Sequence, residues 1–257
     1  MVQIHRMRLG GFFLGLVVLA QAAQGEELPS TLVLSWEKDP CRSMTAQWLR
    51  GPGLGETPTG ERPERVQWKK KGTEKWESMS TEFHPFPDPK KTGRSRWTRV
   101  RAAWDRLEPG SEYVFRIGDS PEASFRTAPE KIGGGVVFVE GGDVDVVKTS
   151  ALMMALGARQ DPLFMSLGGD LAYEDGHDVR REIAFWQQWA ETARAPDGRT
   201  IPVVAGIGNH EVKGGYVRED ASFEEMKARA PFFYAWFGGL YEKAEPAALD
   251  FGNYLSL

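Results

Sequence analysis

Hydrophobic and polar positions alternate with a period of two through much of the first half of the chain. Thr31-Leu-Val-Leu-Ser-Trp36, Ser43-Met-Thr-Ala-Gln-Trp48 and Arg65-Val-Gln-Trp68 follow this spacing, and Tyr113, Phe115 and Ile117 fall on one face of a further run. Successive side chains of a strand point to opposite faces, so the spacing predicts half-buried β-strands. Stretches rich in Gly and Pro at residues 51–60 and 84–89 separate them. Several short strands with regular turns predict a β-sandwich of about 100 residues, here residues 30–128.

The pattern changes after the linker Thr127-Ala-Pro-Glu-Lys131. Val136-Val-Phe-Val139, Leu163-Phe-Met-Ser-Leu167 and Ile201-Pro-Val-Val-Ala-Gly-Ile207 are apolar runs of the kind that form buried strands. Between them, residues 146–156 place apolar groups at helical spacing, and Ile183, Trp186, Trp189 and Ala190 line one helical face. Alternating strands and helices predict a parallel or mixed sheet covered by helices. The fold class expected is therefore α+β and multidomain: an N-terminal β-sandwich followed by an α/β segment over residues 133–257.

Composition narrows the picture. The chain has 257 residues, 41% hydrophobic and 26% charged, in the range of soluble globular proteins. A net charge of −4 with scattered basic residues excludes an electrostatic case for nucleic-acid binding. Lys69-Lys70-Lys71 reads as a solvated strand or turn. Arg6 and Arg8, the apolar run Phe12-Phe-Leu-Gly-Leu-Val-Val-Leu-Ala20 and the small residues after it predict a secretory signal peptide over residues 1–25. Cleavage fits after Ala22 or Gly25, and the alternative reading is a retained anchor. The run is shorter than the about 20 residues of a comfortable span. The mature chain is expected in a periplasmic or extracellular location, off the membrane. Cys41 is the lone cysteine, so no intrachain disulfide supports the fold. It reads as a small buried hydrophobe, with an intermolecular bridge as the alternative. Six of the nine tryptophans fall between Trp36 and Trp104, as sandwich core and rim or as a sugar-binding surface.

Three predicted strands end in similar chemistry: Gly142-Asp143, Gly169-Asp170 and Gly208-Asn209-His210-Glu211. Functional groups of open α/β sheets sit just beyond the carboxyl ends of the strands. Asp and Asn supply hard oxygen donors, and a carboxylate can bridge two cations. Two metals can clamp a phosphate and activate water, and an imidazole can serve its oxygens as charge develops. Asp143 is the first-strand candidate; Asp145 remains as a helix cap or substitute ligand.

Residues 133–257 resemble the first half of a calcineurin-like metallophosphoesterase domain. Preceded by a sandwich whose Leu107-Glu-Pro-Gly-Ser-Glu-Tyr113 turn looks like the fibronectin type III pattern, the chain resembles purple acid phosphatases. Those carry Gly-Asp, Gly-Asp-x-x-Tyr and Gly-Asn-His-Glu, matched here at Asp143, Asp170 with Tyr173, and Asn209 with His210. The resemblance implies two metal ions, ferric iron with ferrous iron, zinc or manganese. It implies that Asp143 and Tyr173 bind the first metal, Tyr173 giving a charge-transfer colour. Asp170 would bridge, Asn209 would bind the second metal, and His210 would be the catalytic contact to phosphate. The implied reaction is hydrolysis of small-molecule phosphomonoesters by metal-activated water.

Two departures accompany the match. The first motif reads Asp143-Val-Asp145, where the family has glycine at the third position. The family supplies three further histidines after the third motif, whereas the four here are His5, His84, His177 and His210. None of these fills the missing roles, and Phe251-Gly-Asn-Tyr-Leu-Ser-Leu257 reads as the start of another strand. The expectation is a partial product lacking the C-terminal histidine ligands, inactive as it stands. The alternatives are another metallophosphoesterase, such as a nucleotidase or phosphodiesterase, or a non-catalytic exported binding protein. Ser222-Phe-Glu-Glu225 predicts a capping box, and Phe232-Phe-Tyr-Ala-Trp-Phe237 either packs on the sheet or walls a substrate cleft, the latter represented by Phe233.

Overall fold

The computed structural model describes residues 27–54, 64–90, 95–215 and 221–238. The predicted signal peptide and the run from Phe251 to Leu257 lie outside the described residues. Among the described residues no helix is long and apolar enough to cross a membrane.

Among the described residues, eight strands build the first half: β1 (Val33–Ser35), β2 (Met44–Arg50), β3 (Arg65–Lys70), β4 (Glu77–Ser80), β5 (Glu82–Pro85), β6 (Thr98–Trp104), β7 (Glu112–Ile117) and β8 (Ala123–Arg126). They form two antiparallel sheets, ordered β1-β2-β6-β5 and β4-β3-β7-β8. The alternation places Val100, Ala102 and Trp104 of β6 and Tyr113, Phe115 and Ile117 of β7 in one shared core. Trp104 meets Phe115 and Phe125 with centroids 5.4 and 5.2 Å apart, within the range of favourable aromatic pairs. The Pro-Gly turn before β7 is locked by Tyr113, whose hydroxyl accepts from the Glu108 N–H at 2.8 Å. Trp36, Trp48, Trp97 and Trp104 are buried, which answers the sugar-surface reading for these four. Cys41 is buried too. Lys70 and Lys71 pair with Glu108 and Glu112 at the surface.

Strand β2 breaks the alternation because both its faces are covered. Met44, Ala46 and Trp48 enter the sandwich core, while Gln47 and Leu49 face the second half of the chain. Buried Gln47 donates from Nε2 to the Trp236 carbonyl at 2.9 Å, satisfying a polar group that would otherwise be costly.

The second half contains β9 (Val139–Gly141), α1 (Lys148–Ala158), β10 (Met165–Leu167), α2 (Val179–Thr192), β11 (Val203–Ala205), a 3-10 turn (Asn209–Glu211), α3 (Phe223–Arg229) and α4 (Pro231–Phe237). The described strands lie in the order β11-β10-β9, all parallel. One face of this sheet shares a core with Met154 and Ala158 of α1 and Trp186 and Trp189 of α2. On the other, Val204 packs toward the sandwich core. Helix α1 starts two residues later than its apolar pattern, because Val147 is extended and leaves the helix without a side-chain cap. Helix α2 is capped by Asp178, which accepts from the Arg180 and Arg181 N–H groups. The expected capping box opens α3: Ser222 N donates to Glu225 Oε2, and Glu225 N to Ser222 Oγ.

Helix α4 is a wedge between the two halves. Phe86 of the sandwich stacks on Phe232 at 5.8 Å and meets Trp236 at 5.5 Å, and Trp236 meets Trp186 of α2 at 5.3 Å. Phe233 is buried in this core, so it is not a cleft wall. Burial of each such ring contributes roughly 1.5–3 kcal/mol, and together these contacts tie the orientation of the second half to the sandwich.

Candidate metal centre

The carboxyl ends of β9, β10 and β11 meet at one edge, and the loops beyond them are laced together. Backbone N–H groups of Asp143, Val144 and Asp145 donate in sequence to the carbonyls of Gly169, Asp170 and Leu171 at 3.1, 3.0 and 2.9 Å. This ladder carries the β9–β10 pairing past the strands and brings the first motif alongside the second. The third motif closes on the second through two glycines. A Cβ on Gly169 would meet Gly208 N at 2.4 Å, and one on Gly208 would meet Asp170 Oδ1 at 2.2 Å. Only glycine lets these backbones approach so closely.

Glu211 completes the lacing, a role not legible in the sequence. Its buried carboxylate accepts from Gly208 N (2.6 Å) and Asp170 N (2.8 Å) on Oε2, and from Leu171 N (2.7 Å) on Oε1. Asp170 in turn accepts on Oδ1 from the His210 N–H at 2.8 Å. The second and third motifs are thus one hydrogen-bonded unit. Hydrogen bonds to a charged carboxylate are worth roughly twice neutral ones.

The backbone here is strained. Asp143, Asp145, Asp170, Tyr173 and Asp175 all have positive φ, between 50° and 62°. Asp tolerates the left-handed region, but a bulky Tyr is a genuine outlier. Such residues persist where the surroundings over-determine them, and they cluster at functional sites.

The two aspartates of the first motif separate clearly. Asp145 forms an ion pair with Arg181 and accepts from the Val146 N–H, and it does not cap α1. Asp143 instead lies against Tyr173. The Tyr173 phenol is held above its ordinary range by burial, then by the charges of Asp143 and Asp170, with a hydrogen bond to Asp143 contributing. Its ring lies 4.3 Å from that of His210. Asn209 opens the 3-10 turn directly after Gly208. Asp143, Asp170, Tyr173, Asn209 and His210 therefore all belong to one loop cluster. His84 lies on β5 of the sandwich, and His177 is exposed after the second motif, its Nδ1 beside the Asp175 carbonyl.

Asp175, not singled out in the sequence, positions His210. The imidazole Nδ1 donates to Asp175 Oδ1 at 2.6 Å, and this bond raises the His210 pKa, with the Asp170 charge adding to it. Nε2 is left as the second ring nitrogen for a ligand. Behind the loops, Glu174 is buried with neither carboxylate oxygen hydrogen-bonded among the described residues. Burial, then the charges of Glu182 and Glu211, push its pKa up to about 9. Glu182 is pushed up to about 7 by burial, while Trp186 Nε1 donates to it at 2.6 Å.

In kind, the donor set suits hard cations. Two carboxylates, a phenol and a carboxamide are oxygen donors of the type that hold iron, manganese or zinc. Asp143 and Asp170 place negative charge beside the Tyr173 phenol, which a cation would neutralise. Among the described residues, no group of three or more His, Cys, Asp or Glu side chains could hold a metal ion by itself.

No protein-family model matches the chain, and no curated protein matches it. Among solved structures it is similar to that of PhoD, with a TM-score of 0.51 and 16% identity, covering 86% of this chain and 48% of that one. The chain thus shares its fold with PhoD and spans about half the length of that protein. Two further similarities are too distant to bear on the fold. A myokine structure matches with a TM-score of 0.24 and 16% identity over 40% of this chain and 97% of that one. Astrotactin-2, a perforin-like membrane protein, matches with a TM-score of 0.27 and 14% identity over 63% and 28%.

Proposed function

We propose that the chain belongs to a metal-dependent phosphoesterase of the purple acid phosphatase type, exported and acting on small phosphomonoesters. The observation that carries the reading is the convergence of three parallel strand ends, with Asp143, Asp170, Tyr173 and Asn209 in loops joined by a backbone ladder and by Glu211. The phosphoesterase-like fold supports it. Asp143 and Tyr173 would hold one cation, Asn209 another, and Asp170 both. Such a pair supplies charge neutralisation at phosphate and water activation. Asp175 holds His210 by Nδ1, so that Nε2–H can donate to a phosphate oxygen as negative charge develops. The laced loops keep these groups in fixed register without rearrangement during reaction.

The first test is calorimetric binding of inorganic phosphate with and without zinc. The reading expects zinc-dependent binding that Asp170→Asn abolishes. Equal binding in chelator, or in Asp170→Asn, would contradict it. The purple type has its own test. Iron loading should give a visible band lost in Tyr173→Phe, and an iron-loaded colourless protein points to another metallophosphoesterase.

A further inference from the structure

We propose that an apolar cavity beside Asn209 is the subsite for the organic half of the substrate, selecting phosphate esters of apolar, aryl-type alcohols. The inference rests on the phosphoesterase reading and extends it to substrate class. The cavity measures about 420 Å³, within the range of small-molecule sites. Gly208 and Asn209 of the third motif form one end of it. The rest is lined by Ile207, Val212, Met226, Ala230 and Tyr234, with Gly215.

Three features define the occupant. The cavity lies next to the donor set, because Gly208, which lines it, packs directly on Asp170. A group bonded to a phosphate held there has this space next to it. Among the described residues, no charged side chain lines the cavity. A second phosphate or a carboxylate would lose hydration without gaining a charged partner among the described residues, whereas an aromatic ring would shed apolar surface. Met226 makes its side adaptable: its sulfur lies 3.8 Å from the Tyr234 hydroxyl, and thioethers reshape around aromatic ligands. Tyr234 itself is braced edge-on by Phe223 at 5.4 Å, so the ring stands as a fixed side of the cavity.

The test is methyl NMR on the full chain labelled at its eight methionines, Met226 being identified with Met226→Leu. The probes are 1-naphthol, 1-naphthyl phosphate and glycerol 3-phosphate. 1-Naphthol should shift the Met226 methyl, and Ile207→Asp should weaken that binding at least tenfold. Ile207 is 42% exposed, so the carboxylate can be accommodated without unfolding, and the other methionine signals report whether it is. With zinc present, 1-naphthyl phosphate should bind at least tenfold more tightly than either 1-naphthol or glycerol 3-phosphate. Absence of a Met226 response to 1-naphthol, or unchanged affinity in Ile207→Asp, overturns the subsite. A Met226 response to 1-naphthol with no zinc-dependent gain for the phosphate ester overturns the phosphoester assignment instead, leaving an apolar ligand site.

Discussion

Substitution Glu211→Gln tests the lacing of the site with minimal change of volume. The wild-type carboxylate accepts three backbone N–H groups, from Gly208, Asp170 and Leu171, at 2.6–2.8 Å. Glutamine keeps one acceptor oxygen. Placed where Oε2 was, it can serve Gly208 and Asp170, but its NH₂ then faces the Leu171 N–H, donor against donor. Hydrogen bonds to charged groups contribute about 1.5–3 kcal/mol each, and an unsatisfied buried donor costs a similar amount. A local loss of about 2–3 kcal/mol is expected. The chain has two separate cores, so a single global unfolding transition is a poor readout. Amide hydrogen exchange reports the loops directly. A loss of 2 kcal/mol corresponds to about 30-fold faster exchange, expected at Asp170, Leu171 and Gly208, with β6 and β7 amides keeping their protection. Loop amides unchanged within about threefold would refute the claim that Glu211 holds the two motifs together.

Further substitutions probe neighbouring claims. Gly208→Ala puts a methyl 2.2 Å from Asp170 Oδ1; a stability loss of about 1–3 kcal/mol is expected, with weakened cation binding by calorimetry. Asp175→Asn should lower the His210 titration seen by NMR. The raised His210 pKa means that the pair stabilises the fold below about pH 6.5 and loses this contribution as pH rises through the raised value. An unchanged midpoint would remove Asp175 from its positioning role. Glu174→Gln tests the buried carboxylates. The folded state keeps its proton up to about 9 against 4.5 in the reference state, so wild-type stability falls as pH rises between those values. The glutamine should stabilise by about 1–3 kcal/mol at pH 8 and little at pH 4; a pH-independent difference in denaturation would show Glu174 to be otherwise partnered.

Much of the fold was legible because one rule governed each part. Tyr113, Phe115 and Ile117 alternate since one face of β7 meets the core. The loops at Gly142, Gly169 and Gly208 could be aligned because each glycine follows an apolar run and precedes an oxygen donor. Where two environments compete, the pattern was less informative. Gln47 looks solvent-facing but is buried under Trp236. Val147 looks helical but is extended. Asp143 and Asp145 are indistinguishable until Arg181 arrives from α2 to pair with Asp145. Glu211 and Asp175 act on backbone and imidazole groups 35 to 41 residues distant, which local spacing does not encode. The aromatic run on α4 was visible, but only its packing shows Phe233 inside the core and Tyr234 on the cavity.

The most direct measurement for the metal centre is paramagnetic broadening by substoichiometric Mn²⁺. The account predicts that amides of Gly142, Gly169 and Gly208 and the His210 ring broaden together, at one Mn²⁺ concentration, and that Asp170→Asn abolishes all four effects. Broadening that reaches the three loops at different concentrations, centres elsewhere on the chain, or survives Asp170→Asn would contradict it.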